Sequence, residues 1–138
     1  MGYTYLLDNR CLAQGSAPPP GATLPFDAIV LCAVEYQPEL PGYAVLRVPL
    51  EDRLHPPPSA HTVAVIDEAA CAIARTVRDG HRVLVTCVQG RNRSGVLSGL
   101  ALVRLGVPGP HAAALIRRLR NGLTNPHFLR MVLRSRQP

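Results

Sequence analysis

The sequence predicts a single α/β domain, with a central, mostly parallel sheet of four to five strands flanked by helices. The chain has 138 residues, of which 47% are apolar, so it can bury one hydrophobic core and is too short for two. Turns divide its first half into short apolar runs, whereas after Ser59 apolar residues recur every three or four positions. No repeat or linker interrupts the chain, and residues 1–138 are predicted to form one domain.

Three strands are predicted in the first half, at Tyr3–Leu7, Ala28–Ala33 and Tyr43–Leu50. Between the first two, Gly15–Gly21 has the Gly, Ser and Pro content of a loop. Glu51–Ser59 is predicted to be a stiff, exposed loop, because its three consecutive prolines can neither continue a sheet nor begin a helix early.

Four helices and one strand are predicted in the second half. The first helix begins at Ser59 and ends before Gly80, with an apolar stripe formed by Val63, Ile66, Ala70, Ile73 and Val77. The strand is Arg82–Thr86, and the later helices are Ser94–Leu105, Pro110–Arg120 and a closing helix that Asn125 caps and Pro126 begins. Strands that alternate with helices favour a parallel sheet, whose ligands bind at the carboxyl ends of the strands.

The charge of the chain is unevenly distributed. All 15 basic residues are Arg, and the formal net charge is +6. Residues 1–69 carry −5, whereas residues 70–138 carry +11, because Asp79 is the single acid there. This distribution favours an anionic partner. Most of the Arg residues have the positions of ordinary solvated surface charge.

Several classes of protein are disfavoured. The four Cys and five His show no metal-ligand spacing, so we expect no metal, no cofactor and no disulfide framework. The N-terminus lacks the features of an export or lipidation signal, and no apolar run is long enough to span a membrane. No aromatic ladder indicates a stable nucleic-acid complex. We therefore expect a cytoplasmic protein, in monomeric form.

The segment from residue 83 to residue 95 is the one where chemistry is predicted. Cys87 stands at the end of a strand, and Arg93 and Ser94 open a helix. The residues between are Val88, Gln89, Gly90, Arg91 and Asn92. Backbone N–H groups of such a loop and of a helix N-terminus can hold an oxyanion of phosphate shape. Gly90 lets the chain curl tightly, and the planar fork of Arg93 can grip two phosphate oxygens.

The same positive field favours a thiolate at Cys87. Attack of that thiolate on phosphorus would form a phosphocysteine, and Ser94 could donate a hydrogen bond to the sulfur when it leaves. By itself a Cys and an Arg six positions apart are weak evidence, since Cys is also a common small buried residue. The apolar strand before the loop and the apolar helix after it supply the structural context that the motif requires.

These residues resemble the signature of the cysteine-dependent protein phosphatases, especially the compact dual-specificity group, usually His-Cys-x5-Arg-Ser/Thr. Val48-Pro49-Leu50-Glu51-Asp52 is similar to the stretch that ends in the family's general-acid Asp, 35 residues before Cys87. Arg120 and Asn125-Pro126-His127-Phe128-Leu129 are similar to the start of the family's last helix. The resemblance covers the chain from about Phe26 to its C-terminus.

The resemblance implies the dual-specificity phosphatase fold and a role for each matching residue. Asp52 would protonate the leaving oxygen and then activate water, with Glu51 as the competing acid. Arg120 would brace the last helix against the loop, and Asn125 would either bind the loop or only cap its helix. Thr86 stands where the family usually has a loop-supporting His, so we expect a hydroxyl to support the loop and the thiolate of Cys87 to be less strongly favoured.

The implied activity is hydrolysis of phosphotyrosine in a phosphorylated protein, with phosphoserine and phosphothreonine as further candidate substrates. Asn92-Arg93-Ser94-Gly95 is also similar to a motif of RNA 5′-triphosphatases on this fold, and a basic residue at Arg91 occurs in some phospholipid phosphatases. A phosphate-binding pseudophosphatase is a further alternative. Tyrosine-only or dual specificity, and a protective disulfide from Cys87 to Cys32 or Cys71, stay open.

Overall fold

The computed structural model describes residues 2–136, which form five strands and four helices. The strands are β1 (Tyr3–Tyr5), β2 (Leu12–Ser16), β3 (Ala28–Ala33), β4 (Ala44–Leu50) and β5 (Val83–Cys87). The helices are α1 (Ala60–Arg78), α2 (Arg93–Arg104), α3 (Gly109–Arg120) and α4 (Pro126–Arg134). The predicted single-domain α/β architecture is confirmed, and most predicted boundaries shift by only one or two residues.

The sheet has the order β1-β2-β5-β3-β4. All neighbours are parallel except β1 and β2, which form an antiparallel pair. The sheet is therefore mostly parallel, as predicted. Because β5 is its central strand, the residue that ends β5 lies in the middle of the carboxyl edge, where ligands bind in folds of this kind.

The predicted loop Gly15–Gly21 begins two residues too early, because Gly15 and Ser16 belong to β2, a strand that is absent from the predicted elements; residues 17–21 lie in no strand or helix, as predicted. This strand pairs with β5 from Leu12, opposite Val83, to Ser16, opposite Cys87. A Cβ on Gly15 would stand 2.6 Å from the Cβ of Tyr3, so glycine is present for close packing of β1 on β2 and not for a turn. The segment also lacks the β-branched and aromatic residues that mark a strand in a sequence.

The helices pack on one face of the sheet around α2. Almost every residue of α2 is buried, and the helix packs against α1, α3, α4 and strands β2, β3 and β5. The apolar stripe of α1 is confirmed at Ile66, Ala70, Ile73 and Val77, whereas Val63 is only partly buried. Ser59 caps α1, since its hydroxyl accepts a hydrogen bond from the backbone N–H of Thr62 over 3.1 Å.

The other face of the sheet is covered by connecting segments. Within residues 2–136, its two apolar clusters contain no helical residue and centre on Phe26 with Leu84, and on Leu40 with Ile29 and Leu31. Successive residues of a strand point to opposite faces, so Cys87 faces the helices. No helix among the described residues has both the length and the apolar character needed to cross a bilayer.

Candidate active site

The predicted phosphate-binding loop connects β5 to α2 and is called here the phosphate loop (Cys87–Arg93). Gly90 has a positive φ of 66°, which a glycine adopts without strain. A cavity of about 220 Å³, called here the phosphate cavity, opens at the loop. Its lining residues are Glu35, Asp52, Cys87, Val88, Gln89, Arg91, Asn92 and Arg93. The fold thus brings the predicted nucleophile, acid and arginine to one cavity.

Cys87 lines this cavity and is only 3% exposed. Its Sγ is 3.2 Å from Oγ of Ser94, in the first turn of α2. The side-chain amide nitrogen of Gln14, which can only donate, lies 3.3 Å from the same Oγ. Ser94 therefore accepts from Gln14 and is left to donate its own proton toward a thiolate at Cys87.

Two side chains from distant elements hold the phosphate loop from behind. Nε2 of Gln14 donates to the carbonyl of Gly90 over 3.1 Å, and Nε of Arg120 donates to the same carbonyl over 3.1 Å. Burial lowers the pKa of the Arg120 guanidinium, and the nearby Arg91 lowers it further. Arg120 thus ties the end of α3 to the loop, and the expectation that it braces the last helix, α4, against the loop was wrong. Gln14 was missed in the sequence, where its signal is an amide within an otherwise apolar run.

Arg93 begins α2 and turns back across the carboxyl edge of the sheet. Its Nη2 donates to Oε2 of Glu35 over 2.8 Å, and its Nη1 donates both to Oε1 of Glu35 and, over 3.1 Å, to the carbonyl of Leu50. The guanidinium holds the pKa of Glu35 down at about 2. Glu35 was also missed in the sequence. Its signal is a carboxylate just beyond the end of a buried strand adjacent to β5.

Asp52 reaches the cavity from an exposed loop, called here the acid loop (Glu51–Ser59). Its Oδ2 accepts from Nδ2 of Asn92 over 2.9 Å, and its Oδ1 accepts from Nδ2 of Asn125 over 2.8 Å. Glu51, the alternative acid, instead pairs with Arg53 over 2.8 Å and does not line this cavity. The geometry therefore favours Asp52 over Glu51 as the carboxylate near Cys87.

Asn125 both caps its helix and contacts the loops of the site, the two roles between which the sequence did not decide. Its Oδ1 accepts from the backbone N–H of His127 over 3.0 Å, which caps α4. Its amide nitrogen holds Asp52, and its own backbone N–H donates to Oδ1 of Asn92 over 3.3 Å. The side chain thus caps the helix and holds the acid loop, while only the backbone bonds to the phosphate loop.

Thr86 lies behind the phosphate loop, because it precedes Cys87 in β5 and points to the opposite face of the sheet. Its Oγ1 donates to the carbonyl of Val30 in β3 over 2.8 Å. This hydrogen bond ties β5 to β3 and does not reach the loop itself. The expected support of the loop by Thr86 is therefore indirect.

All four cysteines are free thiols. The register of β3 with β5 runs to the pair Leu31 and Thr86, and Cys32 and Cys87 each follow by one residue. Burial raises the pKa of Cys32 well above its usual range, and negative charge at Cys87 raises it further. Cys32 is thus the neighbour of Cys87 in the sheet, whereas Cys71 lies on α1. Residues 2–136 contain no group of three or more His, Cys, Asp or Glu arranged to hold a metal ion.

The fold of this chain is similar to that of several solved structures. No protein-family model and no curated protein sequence matches the chain. Among solved structures, human DUSP28 is 26% identical with a TM-score of 0.76, covering 94% of this chain and 89% of its own. Tk-PTP in its active form is 29% identical with a TM-score of 0.61, covering 78% of this chain and 76% of its own. OH1 of the Orf virus, a tyrosine phosphatase with triple substrate specificity, is 18% identical with a TM-score of 0.71, covering 96% of this chain and 85% of its own.

The chain has the fold of the compact dual-specificity phosphatases. Its structural neighbours are dual-specificity and tyrosine phosphatases, which supports a phosphatase function and a phosphorylated substrate. The sequence-based identification of the fold is confirmed.

Proposed function

We propose that this protein hydrolyses phosphate monoesters in proteins, on phosphotyrosine and also on phosphoserine and phosphothreonine, through a phosphocysteine intermediate. One observation carries the proposal. Nε of Arg93 is buried and has no hydrogen-bond partner among residues 2–136, although a buried guanidinium N–H without a partner is costly. It belongs to a residue that lines the same cavity as Cys87. A bound phosphate oxygen would supply the missing acceptor.

The proposed reaction has two steps. In the first, the Cys87 thiolate attacks phosphorus, the phosphorus–oxygen bond to the substrate breaks, and protonated Asp52 gives its proton to the departing oxygen. In the second, ionised Asp52 takes a proton from water, whose oxygen attacks phosphorus. The phosphorus–sulfur bond breaks, inorganic phosphate forms, and Ser94 donates a hydrogen bond to the returning thiolate, as its 3.2 Å distance from Sγ allows.

The space around the phosphate cavity fits a protein substrate. The cavity is small, at about 220 Å³, which suits one phosphate group. A larger groove of about 560 Å³ adjoins it, since Val34 and Glu51 line the groove while their neighbours Glu35 and Asp52 line the cavity. Pro49, Pro56, Pro57, Pro58, Val65 and Phe128 also line the groove. Apolar side chains of this kind can contact the residues that flank a phosphorylated position.

The four free thiols fit a reducing compartment, and we propose that the protein acts in the cytoplasm as a single catalytic domain.

The proposal is tested by turnover of p-nitrophenyl phosphate and of phosphotyrosine, phosphoserine and phosphothreonine peptides. We expect Cys87→Ser to lower kcat to below about one thousandth of the wild-type value, because the hydroxyl is a far weaker nucleophile at neutral pH. Cys71→Ser, which changes a partly buried thiol on α1, is the matched control and should leave kcat unchanged.

Two outcomes would contradict the proposal. Turnover that persists in Cys87→Ser would show that Cys87 is not the nucleophile. Tight binding of phosphopeptides by the wild-type protein without any turnover would show a phosphate-binding pseudophosphatase instead.

A second candidate function rests on Arg91, an exposed residue that lines the phosphate cavity. A second positive charge there favours a substrate with further phosphate groups, such as an RNA 5′-triphosphate or a phosphoinositide. Including both in the substrate panel decides the question. A kcat/KM for either one that exceeds the values for the phosphopeptides, and that falls in Arg91→Ala, would favour this candidate.

A further inference from the structure

The guanidinium of Arg93 is gripped on one side by the ends of two neighbouring strands. Glu35 follows β3 and Leu50 ends β4, and both strands lie beside β5 in the order β5-β3-β4. The Glu35 carboxylate accepts from Nη1 and from Nη2, and the Leu50 carbonyl accepts from Nη1. The side chain of Arg93 is 10% exposed, so these contacts hold a nearly buried cation.

Two of the five N–H bonds of the Arg93 guanidinium have no partner among residues 2–136. A guanidinium has five N–H bonds, two on Nη1, two on Nη2 and one on Nε. Glu35 and Leu50 together occupy both N–H bonds of Nη1 and one of Nη2. The two that remain, on Nε and Nη2, lie on the same edge of the planar group. Two parallel N–H bonds of this kind match two oxygens of a phosphate group.

The negative charge of Glu35 allows two opposite effects on phosphate binding. Its side chain is 53% exposed and lines the phosphate cavity, and its low pKa of about 2 keeps it ionised at neutral pH. A carboxylate there either holds Arg93 ready for phosphate or competes with phosphate for it. Competition would require Glu35 to occupy the edge that phosphate uses. The carboxylate occupies the end of the guanidinium between Nη1 and Nη2, and it leaves Nε, a buried atom, without a hydrogen-bond partner among residues 2–136.

We propose that Glu35 is a positioning residue, which fixes the guanidinium of Arg93 so that its Nε and Nη2 edge faces the phosphate cavity. This inference deepens the proposed function and rests on it. With Glu35 in place, Arg93 meets the substrate already oriented, so little side-chain entropy is lost when phosphate binds. Glu35 thereby promotes phosphate binding despite its negative charge.

The test compares Glu35→Ala and Glu35→Gln with the wild-type protein. The measurements are KM and kcat on p-nitrophenyl phosphate, and the affinity for tungstate, an inert phosphate mimic, by calorimetry. We expect Glu35→Ala to weaken tungstate binding and to raise KM, each about tenfold, the scale of one or two charge-assisted hydrogen bonds. Glu35→Gln keeps one oxygen acceptor and should recover part of the loss, as a purely electrostatic competitor would not.

Glu39→Gln is the matched control, because Glu39 pairs with Arg47 on the surface and its side chain is 94% exposed. It should change neither KM nor tungstate affinity. Tighter tungstate binding by Glu35→Ala would overturn the inference in favour of competition, and unchanged binding would overturn it outright. These results are distinct from failure of the proposed function, in which the wild-type protein shows no turnover. If the wild-type protein binds tungstate but shows no turnover, the tungstate affinities of the wild type and of the Glu35 variants still decide the role of Glu35. If the wild-type protein does not bind tungstate, the inference is overturned as well.

Discussion

The phosphate loop and the acid loop lie on the same cavity but are held in opposite ways. Cys87, Gly90 and Arg93 of the phosphate loop are buried, and side chains from β2, α3 and the end of β3 bond to the loop. In the acid loop only Pro58 is even partly buried. Three of its residues, Asp52, Arg53 and Leu54, accept hydrogen bonds from Asn92, Asn125 and His127.

The difference follows from what each loop is proposed to do. A cradle for an oxyanion must be formed before the substrate arrives, because its donors stabilise charge only if they need no rearrangement. Buried hydrogen bonds from distant elements provide that rigidity. A general acid needs only one correctly placed carboxylate. The acid loop has few buried contacts, so its local opening costs little free energy, and its position depends on the hydrogen bonds to Asp52.

The largest expected effect comes from removing the chemistry of the acid loop while leaving the phosphate loop intact. Asp52→Asn should lower kcat for phosphotyrosine peptides by about 10²–10⁴-fold, the usual contribution of a general acid. KM should change little, because Asp52 bonds to Asn92 and Asn125 and not to Arg93. Steady-state kinetics at neutral pH measure both constants.

The leaving group provides the control for this variant. An aryl phosphate whose phenol is strongly acidic needs little proton transfer, so Asp52→Asn should slow it much less than it slows phosphotyrosine. An equal loss for both substrates would indicate that the substitution disturbs the site in some other way. An unchanged rate for both would remove Asp52 from the mechanism.

The next effect breaks the phosphate loop and leaves the acid loop alone. In Gly90→Ala the new Cβ would lie 2.5 Å from the carbonyl carbon of Gly15 and even closer to Nη2 of Arg120, at a φ of 66°. We expect a loss of about 2–4 kcal/mol in the free energy of unfolding and a fall of about 10²-fold in kcat/KM. Urea unfolding and steady-state kinetics measure the two effects.

Gly42→Ala separates backbone strain from this clash. Gly42 also has a positive φ, of 91°, but no atom lies within 4 Å of the position of its Cβ. Its replacement should cost only about 1 kcal/mol and leave kcat/KM unchanged. Equal losses of stability in the two variants would contradict the close packing of Gly90 on β2.

The smallest effect removes the side-chain hydrogen bonds that tie the acid loop to Asn125, the N-cap of α4. In Asn125→Ser the shorter hydroxyl can still cap α4 but no longer reaches Asp52. The substitution removes two hydrogen bonds, to Oδ1 of Asp52 over 2.8 Å and to the carbonyl of Arg53 over 3.0 Å. We expect the loss of the bond to Asp52, about 1 kcal/mol, to lower kcat about threefold to tenfold, with little change in Tm. Ser59→Ala, which removes the cap of α1, should show the reverse, a lower Tm and an unchanged kcat. A lower Tm with normal kcat in Asn125→Ser would reduce Asn125 to a helix cap.

Much of the fold was predictable because its signals are local. The apolar stripe of α1, the polar cap at Ser59 and the break after Arg78 lie within about 20 residues of one another. The same holds for the segment from β5 through the phosphate loop into α2, where the order of residue types specifies a strand, a tight turn and a helix. Periodicity and turn chemistry act over such distances, and a sequence displays them directly.

The supports of the site were harder to predict, because they come from residues far apart in the chain. Gln14 and Gly90 are 76 residues apart, and Glu35 and Arg93 are 58 apart. Glycine is typical of loops, and the sequence therefore predicts that a loop begins at Gly15. The actual reason for a glycine there is its close contact with β1 and with the phosphate loop. A local pattern contains no information on such a contact.

The sequence by itself determined the α/β class and the position of the strand, loop and helix around Cys87, and its resemblance to the phosphatases offered Asp52 as a candidate acid with Glu51 as the competitor. Only the tertiary structure decided which side chains surround them. It placed Asp52 and not Glu51 at the cavity, turned the hydroxyl of Thr86 toward β3, and set Glu35 against Arg93. The physical reason is that backbone propensity and periodicity depend on neighbours along the chain, whereas the partners of a buried polar group depend on which strands lie side by side.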